Sequence, residues 1–261
     1  MKYIEDVMAS IGKLFIVVCA VLSADYSYAD STVIEFSAEA VISTPQQQVK
    51  KTKLYVSKKA VRSETVINGQ TMVEIVYPEE GRAILIDNSL KSYQERMFDQ
   101  QKGTNGNSPC DQIKNAVCEK LGSEKIAGYN TEKWQIISGS GDRKLRTLHW
   151  IDVKRKLAIR EFFPDGSVAE LKMIKKENVN GRDTEKWERS LSRPDGENIK
   201  SYQWYDTGLK IAIKEALSNG YIRELRNIKI SKQSSDLFSV PGDYKKMALQ
   251  PAMQPEYINR R

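Results

Sequence analysis

The side chains that could carry chemistry are few and widely spaced. Cys110 and Cys118 are the only cysteines beyond the amino-terminal segment, and an even pair in an exported chain favours a disulfide. On one straight helix, eight residues at 1.5 Å each would hold them about 12 Å apart, past the roughly 7 Å limit for bridging. Either the helix breaks between them or the bond does not form. Metal sites need clustered ligands and redox dithiols a Cys-x-x-Cys, and neither pattern occurs. His149 is the only histidine and stands in no recognisable nucleophile or carboxylate motif, which argues against a catalytic base. The carboxylate pairs Glu161/Glu215 and Asp152/Asp206 recur at matched places, as shared turns or strand pairs would require. Two-carboxylate hydrolysis needs two different environments instead. Trp134, Trp150, Trp187 and Trp204 are either sheet packing or the lining of an apolar groove. The expectation is a chain without enzymatic activity and without a cofactor or a metal.

Those residues belong to one pattern written twice. Gly128-Tyr-Asn-Thr-Glu-Lys-Trp134, Trp150-Ile-Asp152, Leu157-Ala-Ile-Arg-Glu161, Asp165-Gly166 and Glu170-Leu171 return as Gly181-Arg-Asp-Thr-Glu-Lys-Trp187, Trp204-Tyr-Asp206, Ile211-Ala-Ile-Lys-Glu215, Asn219-Gly220 and Glu224-Leu225. The offset is 53 at the first tryptophan (187 − 134) and 54 at the second (204 − 150), so the copies differ by one inserted residue. A period near 50 with several short apolar runs makes each copy, 128–176 and 181–230, a supersecondary unit, and two adjacent copies imply one continuous sheet.

Upstream, successive strands are predicted over 33–43, 51–57, 61–67, 71–77, 82–87 and 92–97. Asn68-Gly69 marks a hairpin, because a type I′ turn needs positive φ at both central positions. Thr71–Tyr77 is apolar on both faces, so something must cover one of them. Pro109 to Leu121 carries Ile113, Val117 and Leu121 at helical spacing and is predicted to be the one helix and the cover of the sheet. Residues 245–261 are expected to be a flexible tail.

Leu14 to Ala24 is an apolar run of eleven, too short to span a bilayer of about 30 Å, and Ser27-Tyr28-Ala29 completes a secretory signal cut after Ala29. Met1 and Met8 are alternative starts. The net charge of +7 is spread along the strands, with 39 basic and 31 acidic residues left after residue 29, which suits a solvated surface. Export also makes nucleic acid an unexpected partner, even though aromatics on a sheet could stack on bases.

Phe36-Ser-Ala-Glu-Ala40, Leu54-Tyr-Val56 with Val61-Arg-Ser-Glu64, Ala83-Ile-Leu-Ile-Asp87 with Lys91-Ser-Tyr93, Trp150-Ile-Asp152 and Leu237-Phe-Ser-Val-Pro-Gly-Asp-Tyr244, taken in that order, resemble the LolA-like superfamily of periplasmic lipoprotein and lipid carriers and their uncharacterised relatives. The resemblance spans about residues 33 to 245. It implies a mainly β fold, a curved, unclosed antiparallel half-barrel with a short helical cover, forming one domain over 30–244 behind a signal peptide at 1–29. It also implies a periplasmic, non-enzymatic carrier of a lipid, an acyl chain or a lipoprotein anchor on the concave face. The groove would be lined by Val56, Met72, Ile84, Trp134, Trp150, Ile159, Trp187 and Trp204 and covered by Ile113 and Val117. Expected partners are lipid or lipoprotein acyl chains, envelope proteins and, peripherally, the membrane. The alternative is an envelope protein-binding scaffold without a small ligand. This chain departs from the family pattern in having little helix and a clear duplication.

Overall fold

A computed structural model describes residues 33–46, 49–98, 108–112, 116–139 and 144–248. The amino-terminal strands are β1 (Phe36–Ser43), β2 (Val49–Val56), β3 (Val61–Ile67), β4 (Gln70–Tyr77), β5 (Arg82–Asp87) and β6 (Ser92–Met97). Then follow β7 (Val117–Ile126), β8 (Tyr129–Ser138), β9 (Leu145–Asp152), β10 (Ala158–Phe162) and β11 (Val168–Val179). The second copy supplies β12 (Arg182–Ser192), β13 (Asn198–Asp206), β14 (Ile211–Ala216) and β15 (Ile222–Ile230), and β16 (Lys245–Lys246) ends the order. All belong to one 16-stranded sheet that does not close, ordered β16-β6-β5-β4-β3-β2-β1-β15-β14-β13-β12-β11-β10-β9-β8-β7. Every pairing is antiparallel except β16 with β6.

Turn chemistry sets this order locally. Asn68 and Gly69 both take positive φ (50° and 78°), as the I′ hairpin between β3 and β4 demands. Asn180 and Gly181 do the same between β11 and β12 (52° and 80°), so the two copies are joined by a tight hairpin and lie side by side. The two halves meet where β1 pairs with β15, which buries Ala40 opposite Leu225.

The copies pack in sequence along the sheet. Ile126 and Tyr129, at the tip of the β7–β8 hairpin, pack with Leu157, Ile159 and Leu171 against Trp187 and Tyr205 of the next copy. One period later, Val179, Ile211, Ile213 and Leu225 pack against Phe36, Ala38 and Ala40 of β1 and Leu54 and Val56 of β2. The amino-terminal strands thus serve as the neighbour that the second copy needs.

Two expectations are corrected. The predicted helix over 109–121 is a short 3₁₀ turn, Pro109–Gln112, and from Val117 the chain is strand β7, paired with β8 from Val117↔Ile137 to Ile126↔Tyr129. Helical spacing of three apolar residues lost to a ladder that satisfies the backbone along the sheet. Val117 is 67% exposed and Leu121 is exposed as well, so neither caps an apolar face. The first residues of the expected tail at 245–261 are strand: β16 pairs with β6, and Met247 N donates to the Tyr93 carbonyl at 2.8 Å, while 249–261 lie outside the described residues. Ile113 and the expected signal peptide lie outside the described residues.

Candidate functional site

Strand register decides which of the expected groove residues share a face. Trp134 lies opposite His149 and Trp187 opposite Gln203, whereas Trp150 lies opposite Lys133 and Trp204 opposite Lys186. The four tryptophans are therefore divided between the two faces of the sheet. In β4 and β5 the same parity rule separates Met72, paired with Asp87, from Ile84, paired with Ile75. Val56 and Trp204 join one core cluster, Ile159 and Trp187 a second, and Ile84 a third. These residues do not converge on one groove.

Trp150 and Trp204 are tied into equivalent polar clamps. Trp150 Nε1 donates to Glu124 Oε1 at 2.5 Å with Lys133 Nζ 4.8 Å from the ring centroid; Trp204 Nε1 donates to Glu177, with Lys186 Nζ at 4.7 Å. Thr131 and Thr184 donate to the carbonyls of Glu124 and Glu177 at 2.7 and 2.8 Å. Recurrence of donor, acceptor and cation at one period marks both tryptophans as packing residues with satisfied indoles.

The matched carboxylates also have structural partners. Asp206 Oδ1 accepts from the amides of Gly208 and Leu209 at 2.8 and 2.9 Å, and Asp152 Oδ2 from Arg155 N at 2.9 Å, so both cap the turn that follows them. Arg155 then reaches across to Glu185 with two bonds of 2.9 and 3.0 Å, a fork that holds the Glu185 carboxyl below its ordinary range. Glu161 accepts from Arg189 at 2.7 Å, and Glu215 pairs with Arg223 at 2.7 Å.

His149 sits in a short network: Nε2 is 2.9 Å from Thr147 Oγ1 and Nδ1 is 3.5 Å from Glu161 Oε1. Burial lowers its pKa, which Glu161 opposes. Thr147 and His149 are two apart on one strand, and Glu161 lies directly across from His149 in the ladder. Strand geometry alone accounts for the contact. Among the described residues no group of three or more His, Cys, Asp or Glu side chains could hold a metal ion.

The apolar face left open by the missing helix is covered from elsewhere. Leu237, Phe238, Val240 and Tyr244 lie over Ala60, Val73, Ile75, Ile84 and Ile86, rimmed by Tyr55, Tyr77 and Tyr93. Arg62 Nη1 donates to the Leu237 carbonyl at 2.8 Å, Tyr77 Oη to that of Phe238, and Lys91 pairs with Asp243 at 2.8 Å. This strap, from 235 to 247, runs from β15 to the edge at β6. Its sequence signal was Leu237-Phe-Ser-Val, an apolar run after the last repeat strand.

Glu74, in β4, belongs to no sequence motif. Its residue is 5% exposed, Oε1 has no hydrogen-bond partner, and burial raises its pKa to about 7 against the opposing charge of Arg96. An acidic residue between Met72 and Val76 on one face of a strand was the available sign.

Two recesses lie beside these cores. A cavity of about 10 Å³ lies among Ala40, Ile42, Ile213, Glu215, Arg223 and Leu225, room for about one water. A notch of about 340 Å³ beside the β11–β12 hairpin is open and lined by Lys176, Glu177, Asn178, Asp183, Thr184, Glu185 and Thr207. Neither is an apolar cavity shaped for an acyl chain.

The disulfide does form: Cys110 and Cys118 are bonded with Cα atoms 5.7 Å apart, because the chain turns and then extends instead of running as a helix. It suits an oxidising compartment.

Residues 39–152, less than half of the chain, match the model of a family described as a domain of unknown function, DUF4412. No curated protein matches the sequence. Among solved structures, the chain is similar to one from Vibrio parahaemolyticus described as an outer membrane lipoprotein-sorting protein domain (12% identity, TM-score 0.35), covering 80% of this chain and 91% of that one. It is similar to a LolA superfamily protein from Nitrosomonas europaea (10% identity, TM-score 0.37, 82% and 93% covered). It is also similar to a chain of the MucA/MucB complex of Pseudomonas aeruginosa (10% identity, TM-score 0.32, 85% and 62% covered).

Proposed function

We propose that this chain is an exported, non-enzymatic binding protein of the cell envelope that engages a polypeptide partner, with the interior of its sheet filled by its own side chains. The observation that carries this reading is the dispersal of the expected groove: Val56, Ile84, Ile159, Trp187 and Trp204 are used in three separate cores, and the tryptophans stand on both faces of the sheet. A preformed carrier site would instead show a concave apolar pocket of about 300 Å³ or more. The repeated carboxylates Asp152, Asp206, Glu161 and Glu215 and the one histidine, His149, are held in turns and cross-strand pairs, which supports a role without catalysis.

Two measurements test the reading. Native mass spectrometry of gently purified protein should find no bound lipid, and a fluorescent fatty acid should show no saturable binding. A photo-crosslinking residue at Leu121 on the outer strand β7 should give one defined protein adduct in the exported compartment. A stoichiometric acyl ligand, or no adduct from any position along β7, would overturn it.

A second reading keeps an apolar ligand and is favoured by the strap alone. Val73, Ile75, Ile84 and Ile86 form the apolar surface that a lipid chain would occupy if residues 237–244 lifted, and burial would contribute about 0.8 kcal/mol per CH₂.

A further inference from the structure

Among the described residues, β7 is the one strand longer than two residues in which no side chain is buried. Glu119 to Lys125 are all exposed, so the strand is held by its ladder to β8 and by the disulfide, and only Ile126 at its end touches a core. Its outer edge is one end of the sheet and has no ladder partner among the described residues, whereas the other end is closed over Ser92 and Tyr93 by β16. Backbone direction fixes what that edge presents. Asn130 accepts from Val153 N at 3.0 Å on the side of β9, so its amide and carbonyl point away from β7, and those of Lys125 opposite it point away from β8. Alternation sends those of Ser123 the same way. The bulge between Lys120 and Gly122 then shifts the parity of the strand. Lys120 and Lys125, opposite Trp134 and Asn130, share one face; Glu119 and Glu124, opposite Gln135 and Thr131, share the other.

We infer that β7 takes up an extended polypeptide as an added antiparallel strand, one with acidic side chains on the face of Lys120 and Lys125 and basic side chains on the face of Glu119 and Glu124. This rests on the reading of a polypeptide partner and names how that partner is held. The outward backbone groups at Ser123 and Lys125 supply the ladder, and the side-chain charges select the sequence. The repeat shows that the unit accepts a strand here. β11, the counterpart of β7 one period later, carries β10 along the first part of this edge, from Arg160↔Glu170 to Phe162↔Val168. Charge argues against a second copy of this chain as the occupant. The antiparallel registers that centre one β7 on another with faces matched place Glu119 opposite Glu124, or Lys120 opposite Lys125, and two-fold symmetry repeats each clash. A partner of complementary sequence meets opposite charges on both faces instead. Lys120 and Glu124 are braced by Glu132 and by the Trp150 indole, at 2.5 Å each, so two of the four charges are positioned before a partner arrives.

The test uses the full chain with a photo-crosslinking residue at Leu121. Ser123→Pro removes an outward amide and leaves the ladder to β8 its donors, so adduct yield should fall roughly tenfold or more, whereas Ser123→Ala should keep it within about twofold. Lys125→Pro removes the second outward amide and should act as Ser123→Pro does, which keeps the test decisive if one variant is less stable; a far-ultraviolet circular dichroism spectrum like that of the parent will accompany each. The direct probe is the synthetic peptide Glu-Lys-Thr-Val-Glu-Lys-Val, followed by residue-resolved hydrogen exchange. At about millimolar concentration it should slow exchange of the Ser123 and Lys125 amides roughly tenfold, and the charge-inverted peptide Lys-Glu-Thr-Val-Lys-Glu-Val should not. An adduct that survives both proline variants leaves the polypeptide reading standing and overturns strand addition, while no adduct in the parent overturns that reading itself. Unslowed amides, equal slowing by both peptides, or an adduct made of two copies of this chain would each overturn the inference.

Discussion

Tyr129 packs against Trp187 with ring centroids 5.5 Å apart and the rings tilted by 44°, so a residue from the start of the first repeat seals the central tryptophan of the second. Trp187 is fully buried as a result, while Trp134, its counterpart one period earlier, is only partly buried because β7 is the last strand and no earlier copy supplies a tyrosine.

That asymmetry predicts unequal costs for equal substitutions. Trp187→Ala should destabilise by about 3 to 5 kcal/mol, with Trp134→Ala costing less than half as much. Urea unfolding followed by far-ultraviolet circular dichroism measures both. Equal losses would show that the inter-copy seal contributes nothing.

The disulfide should clip the start of β7 and little else. An eight-residue spacing closes a short loop, so reduction should remove at most about 2 to 3 kcal/mol by loop entropy. Thiol labelling of the unreduced protein should leave Cys110 and Cys118 unmodified. Labelling of both would show that they are free.

Glu74 makes stability depend on pH with a definite sign. Burial raises its folded pKa to about 7, above the unfolded value of about 4.3, so its contribution is fully present below about pH 4.3 and is lost as pH rises through about 7. Glu215, also raised by burial, acts in the same direction, while His149, lowered by burial, acts in the opposite one. The difference between parent and Glu74→Gln isolates one group. The variant should gain stability relative to the parent between pH 5 and pH 8, by on the order of 3 kcal/mol at most. A constant difference across that range would mean that Glu74 titrates normally.

The strap should be removable without loss of the sheet. Phe238→Ala removes its buried anchor over Ile75 and Ile84. The expected outcome is a severalfold rise in binding of an apolar fluorescent dye, with the far-ultraviolet circular dichroism spectrum retained. A variant that unfolds at 25 °C, or leaves dye binding unchanged, would make residues 235–247 ordinary core or ordinary surface.

Much of this architecture was legible in the residues themselves. The strands at 61–67, 82–87 and 92–97 have the predicted bounds, since β-branched runs between Gly, Pro and Asn turns specify a local ladder whatever lies beyond it. The duplication predicted adjacent copies in one sheet, because identical units have matching faces and a hairpin of Asn180-Gly181 leaves the second copy nowhere else to go. The segment from Pro109 to Ile126 was beyond such reading. Its three apolar residues fit a helix, and only the partner strand β8 turned its latter part into an edge. Face and cover were likewise decided by tertiary structure. Alternation states that Trp134 and Trp150 differ from their immediate neighbours, but which faces they share depends on register and on bulges such as that between Ala158 and Arg160. The cover came from residues 237–244, more than 140 positions from the strands β4 and β5 that they close, and no local pattern encodes a contact at that separation. Periodicity reports the environment of a residue one strand away; what lies across the sheet is set by how the whole chain returns to it.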